Sequence, residues 1–180
     1  MIVAREKRRK NIAEYVLYMW QLEDTLRALN FDMDLVEEKI ILQFKQPPSV
    51  VEEIRDWYTN IILAMHEEGI MKSGHLRLVR SLVNDMFELH KRLISEGKEP
   101  QYLNLYNLAK TNIEAFGKKL LKDEPNEIEV YFLGLYGLFL LRLKKKEITT
   151  DTQNAMQTFS NLLALLSKYF IDIEQGNKEF

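Results

Sequence analysis

Apolar residues recur at helical spacing along almost the whole chain. At about 100° per residue, Ile12, Tyr15, Val16, Met19, Leu22, Leu26 and Leu29 share one face of a helix predicted over Asn11–Phe31. Ala13, Leu17, Trp20 and Phe31 widen that face, and only Glu14, Gln21 and Thr25 form a water-facing strip. A helix with so wide an apolar arc is covered by neighbours on most sides, so this stretch is expected to organise the fold. Three polar residues interrupt it. Glu23 and Asn30 project along the line of Ile12 and Met19, with Arg27 one turn beyond Glu23.

The remaining pattern divides at its turn residues. Asp32 or Asp34 is placed to cap a second helix carrying Leu35, Val36, Ile40, Ile41 and Phe44, which Pro47-Pro48 ends. Ser49-Val-Val-Glu52 has the spacing of a capping box. It is expected to open a third helix to about Glu68 with Ile54, Trp57, Tyr58, Ile61, Ile62 and Met65 inward, stopped by Gly69. Lys72–His75 is expected to begin a fourth helix through Ile94, buried along Leu76, Val79, Leu82, Val83, Met86, Leu89, His90 and Leu93. A fifth runs from Gln101 to about Lys122 with Pro100 in its first turn. The sixth, about Glu127 to Lys145, is apolar all round except Glu129 and Arg142, and Gly134 and Gly137 are expected to permit close helix approach. Thr150-Asp-Thr-Gln153 reads as a capping box for the last helix, which reaches about Ile173 with Met156, Phe159, Leu162, Leu163, Leu166 and Phe170 inward. Residues 174–180 read as a loose tail. No strand alternation, hairpin signal or fixed-period repeat occurs. The expectation is a single all-α domain over 1–180, about seven helices joined mostly as antiparallel neighbours.

Composition narrows the function. The chain has 180 residues, 46% of them hydrophobic, which suits one ordinary domain with one core. A net charge of −2 gives no overall field toward nucleic acid or membranes. There is no cysteine, which excludes disulfides, thiolate catalysis and Cys-ligated metals. The basic stretch at residues 5–10 forms an N-terminal arm (1–10), read as a solvated first turn into the central helix, with phosphate contact as the sharper alternative. The run after it is cut by acids and lacks a signal-peptide core. The longest apolar run, Val130–Leu141, is shorter than the roughly 20 residues that span a bilayer. A cytoplasmic protein is expected.

Candidate chemistry is sparse. Glu23 and Arg27 have the order and spacing of a helical ion pair. On an apolar face each charge needs its partner, and removing one costs roughly 3–5 kcal/mol. Such a pair either fixes helix register, or floors a pocket in which Arg27 binds an anion that Glu23 orients, or belongs to an interface. Trp20 lies one turn before Glu23. Arg55-Asp56-Trp57-Tyr58 is a second place where charge and aromatics adjoin, and both clusters line one cleft if the two helices pack together. The candidate ligand-binding residues are therefore Trp20, Glu23, Arg27, Trp57 and Tyr58. His66 and His75 flank the Gly69 turn beside Glu67 and Glu68, and the bland reading is that neither ligates. Leu63, Lys72 and Phe87 stand where Glu-x-x-His would need a glutamate, and Ile70 stands where HExxH needs its second histidine. Phosphate-cradling glycine loops and a hydrolase elbow are absent. No catalytic residue, metal or cofactor is assigned.

The segment KRRKNIAEYVLYMWQLEDTLRA, with RDWY at 55–58, GHL at 74–76 and LYGLFLLRLKKKEIT at 135–149, resembles a small, uncharacterised family of all-helical bacterial proteins found mainly in Bacteroidetes. The resemblance covers nearly the whole chain. It implies a short stand-alone protein and brings no activity or catalytic residue with it.

Two functional expectations follow. The first is a non-catalytic helical protein that self-associates, as a homodimer, or binds a protein partner. The second is a small-molecule-binding protein, or an enzyme without a familiar motif, with a cleft reaching Arg27. Nucleic-acid binding through residues 5–10 and Lys144–Lys146 ranks third.

Overall fold

In a computed structural model the described residues, 2–117 and 125–178, form eight α-helices and one 3-10 turn with no strand. The helices are α1 (Ile2–Lys10), α2 (Ile12–Ala28), α3 (Met33–Lys39), α4 (Pro48–Glu67), α5 (Arg77–Glu96), α6 (Pro100–Gly117), α7 (Glu127–Leu143) and α8 (Thr150–Glu174). The 3-10 turn is Ile41–Phe44. The expected all-α bundle is present. The expected end of the fifth helix and the Asp123-Glu124 break fall outside the described residues.

The extra helix is the N-terminal arm. Asn11 adopts an extended conformation and its side chain accepts the Glu14 N–H, so the chain restarts as α2 instead of running through. Ala4 is buried, and α1 packs on α2 and α8. Its cations are largely paired within the protein: Arg8 holds Glu174 through two bonds of 2.7 and 2.8 Å, Lys7 reaches Glu14 and Lys10 reaches Glu6. The C-terminal segment is tied down as far as Lys178, which binds Glu99 and lies 3.7 Å from the Tyr169 ring centroid.

α2 is as buried as its pattern implies, with Ile12, Tyr15, Val16, Met19, Trp20, Leu22 and Leu26 in the core. The element touching most of the bundle is α8, which packs on α1, α2, α5, α6 and α7. Ser167, a polar residue on its inner face, accepts the N–H of Ala13 in the first turn of α2. Gly134 explains the fit of α7 on α8: a Cβ there would lie 3.1 Å from Met156 and from the Phe159 ring. Gly137 has nothing within 4 Å of that position, so close approach is not its role.

Several helix starts differ from expectation. α4 begins at Pro48, whose missing N–H and fixed φ suit the first helical position, and Ser49 is already inside the helix without a capping bond. Thr149, not Thr150, caps α8 through the Thr152 N–H. The second helix stops at Lys39 and continues only as the 3-10 turn. α5 begins at Arg77 because Gly74, at φ +93°, is not helical. Residues 72–75 are loop, and that loop builds the site.

Candidate functional site

Glu23 and Arg27 do not pair with each other. They lie about 40° apart on the same face of α2, and both point at the connection between α4 and α5. That connection leaves α4 through a left-handed Gly69 whose own N–H returns to the His66 carbonyl, while the next N–H, of Ile70, returns to Met65. The Ile70 and Gly74 carbonyls then have no helical partner. Arg27 supplies one, donating from Nε and Nη2 to Ile70 O at 3.3 and 3.0 Å and from Nη2 to Gly74 O. Its Nη1 binds Asp24 at 2.7 Å. A guanidinium carries five donors, more than one carboxylate can take, and the loop carbonyls claim them. Asp24 in turn accepts the Tyr136 hydroxyl at 2.6 Å; burial, with Asp24 beside it, pushes that phenol above its usual range.

Glu23 is fully buried. Its Oε1 accepts the Leu76 N–H at 3.1 Å and its Oε2 lies 2.6 Å from His75 Nδ1. The imidazole stacks on Trp20 with centroids 4.1 Å apart and planes 8° from parallel. Phe132 and Tyr136 enclose the indole from two other sides. The Trp20 Nε1–H is buried and has no hydrogen-bond partner among the described residues. Buried donors are rarely left so.

Trp20 and His75 form one wall of a cleft of about 380 Å³, completed by Arg77, Arg80, Ser81, Val83 and Asn84 of α5 and Glu129 of α7. That volume lies within the roughly 300–1,000 Å³ range of small-molecule sites. Arg77 and Arg80 stand one turn apart at the start of α5, and neither has an ion-pair partner among the described residues. Cations at a helix N-terminus oppose its dipole, so this placement is locally unfavourable. Glu129 is the one carboxylate in the lining. Asn126 joins the two walls, capping α7 at the Glu129 N–H and donating to Asn84 at 3.2 Å.

Deeper between α5 and α7 lies a second polar cluster. His90 is buried, with Nδ1 2.6 Å from the Tyr102 hydroxyl and Nε2 3.3 Å from Glu127. Glu127 also accepts the Tyr131 hydroxyl at 2.9 Å. Burial acts to raise the Glu127 carboxyl, but the His90 and Tyr131 bonds outweigh it and hold it below the usual range. With every partner satisfied, this cluster ties helices together.

Of the sequence candidates, Trp20 lines the cleft and Glu23 stands behind it, while Arg27 fastens the loop below. Trp57 and Tyr58 are elsewhere. Tyr58 lines a separate depression with Tyr18, Ile40 and Phe44. Tyr18 and Trp20 are two residues apart, about 200° around α2, so helices meeting them cannot share a cleft. Trp57 packs edge-on against Tyr58, and Arg55 binds Glu37. His66 is exposed, and the carboxylate bonded to His75 is Glu23, not Glu67 or Glu68. Among the described residues no group of three His, Cys, Asp or Glu is arranged to hold a metal ion, and no helix is long and apolar enough to cross a membrane. His75, Arg77, Arg80 and Asn84 also line the cleft and are not among the ligand-binding residues read from the sequence. The signal was present in the Arg-x-x-Arg spacing without a nearby acid, but it is visible only once α5 is known to start at Arg77.

The sequence model of a family described as a domain of unknown function, DUF4924, matches residues 1–177, and the chain belongs to that family. No curated protein and no solved structure matches the chain.

Proposed function

We propose that the cleft beside Trp20 binds a small molecule bearing a phosphate or carboxylate group. The observation that carries this reading is the pair Arg77 and Arg80, lining the cleft with guanidiniums that make no ion pair among the described residues, while Glu68 accepts only the Arg77 backbone N–H. Two guanidiniums one turn apart suit an oxyanion with several acceptors. Glu129 suits a hydroxyl or amine elsewhere on the same molecule. Arg27, the residue first expected to meet the anion, serves by holding the loop that presents His75.

Titration with inorganic phosphate tests the reading. The chain has two tryptophans, so a Trp57→Phe background leaves Trp20 as the fluorescence and indole N–H probe. Phosphate is expected to shift both signals saturably, and Arg77→Ala is expected to weaken binding about tenfold, the loss of one charge-assisted bond. Absence of any Trp20 response at millimolar phosphate overturns the reading.

Protein association has one supporting feature. Leu78, 65% exposed, sits between the two arginines, a combination that suits an acidic segment with an apolar anchor. Native mass spectrometry of the purified protein separates the readings: a co-purifying small mass supports the ligand, and a dimer without one supports association.

A further inference from the structure

The cleft contains a nucleophile that anion binding alone does not require. Glu23 is fully buried and both of its carboxylate oxygens accept, one from Leu76 N–H and the other from His75. A carboxylate cannot donate, so Nδ1 of His75 carries a proton, and in the neutral ring Nε2 keeps its lone pair. Trp20 covers one face of the ring and Glu23 its Nδ1 edge. Nε2 has no partner among the described residues, the side chain retains 22% exposure, and the ring lines the cleft that holds Arg77 and Arg80. The other two histidines lack this arrangement. His90 is buried with both nitrogens engaged. His66 is exposed and has no carboxylate bonded to its ring among the described residues.

We infer that His75 is a phosphoryl acceptor, charged at Nε2 by a small acyl phosphate held between Arg77 and Arg80. The inference rests on the anion-binding reading of the cleft. In the step, the Nε2 lone pair attacks phosphorus and an N–P bond forms. The P–O bond to the acyl group breaks, and its electron pair leaves on the acyl oxygen as a carboxylate, which needs no proton. The ring becomes cationic with Nδ1–H retained, and Glu23 faces that new charge at 2.6 Å. The arginines stabilise the phosphoryl oxygens through the transfer. Glu23 is a positioning residue, and His75 is the reacting one.

The test is incubation of the full-length chain with acetyl phosphate, followed by intact mass measurement at neutral pH and peptide mapping. An acid-labile phosphoryl adduct is expected on His75, formed at least about tenfold faster than on His66. Substitution His75→Ala removes it, and Arg77→Ala slows it with the circular dichroism spectrum unchanged. Glu23→Gln keeps phosphate binding but slows transfer, because the amide reverses the tautomer and places the proton on Nε2. Equal modification of His66 and His75, or no adduct on His75 while phosphate still perturbs Trp20, overturns the inference and leaves the binding reading standing. Failure of phosphate to perturb Trp20 overturns both.

Discussion

Replacing Glu23 separates two kinds of buried group. In Glu23→Ala the Leu76 N–H loses its acceptor in a fully buried place, at a cost of about 1–3 kcal/mol. His75, 22% exposed, recovers part of its bond from water, so its share falls near the lower end of that range. Removal of one buried methylene adds about 0.8 kcal/mol. The total is about 3–5 kcal/mol, the range found when one partner of a buried ionic contact is deleted. Stability of a domain this size lies at roughly 5–15 kcal/mol, so the expected fall in Tm is about 10 °C. Glu23→Gln keeps the shape: its carbonyl accepts from Leu76, its NH2 donates to Nδ1, and the loss is about 1 kcal/mol as a charge-assisted bond becomes a neutral one. Guanidinium denaturation at pH 7 followed by far-UV circular dichroism measures both. If the alanine variant lies within about 1 kcal/mol of the glutamine variant, the account of Glu23 as the acceptor holding the α5 start is wrong.

Gly134→Ala is expected to destabilise by about 1–3 kcal/mol, because the added carbon meets Met156 and Phe159 at 3.1 Å, whereas Gly137→Ala is expected to stabilise by about 0.5–1 kcal/mol; the same denaturation series reads both. Arg27→Ala frees the Ile70 and Gly74 carbonyls, and hydrogen exchange is expected to speed up at residues 70–76 more than in α6. The Glu127 carboxyl is lowered from its ordinary 4.5 in the fold. Its contribution is therefore present above about pH 4.5 and is lost as pH falls through the lower folded value. Acid titration of stability is expected to be shallower over that window in Glu127→Gln, and an unchanged slope contradicts the His90 and Tyr131 bonds.

The helices were legible because most bury one stripe. All eight inward residues read for α5 are buried, since a 3.6-residue period needs no knowledge of partners. Glu23 was legible too, as an acid on the line of Ile12 and Met19, and it is buried as they are. Its partner was not. Spacing along α2 offered Arg27, while the real acceptor and donor sets came from a loop more than forty residues away, whose backbone groups without helical partners outweigh a side chain one turn along. The same loop hid the start of α5, because hydrophobic periodicity begins at Leu76 whether or not the preceding four residues are helical. Asn30 shows the reverse error. Its register matched Met19, but α2 ends at Ala28 and Asn30 takes the left-handed position that closes the helix, facing water.

The double clamp by which α2 grips residues 70–76 has a consequence for assembly of the cleft. Its parts are drawn from α2, the loop, α5 and α7, and none of these segments carries the cleft alone. The connection between α4 and α5 makes its own turn at Gly69, yet its histidine acquires orientation only when Glu23 and Arg27 dock. The assembled cleft is thus a readout of completed tertiary folding and not of helix content. Anything that binds there draws the whole chain toward its native state by mass action, and the connection between α4 and α5 tolerates little change in length, since one added residue displaces either the carbonyls Arg27 holds or the amide Glu23 accepts.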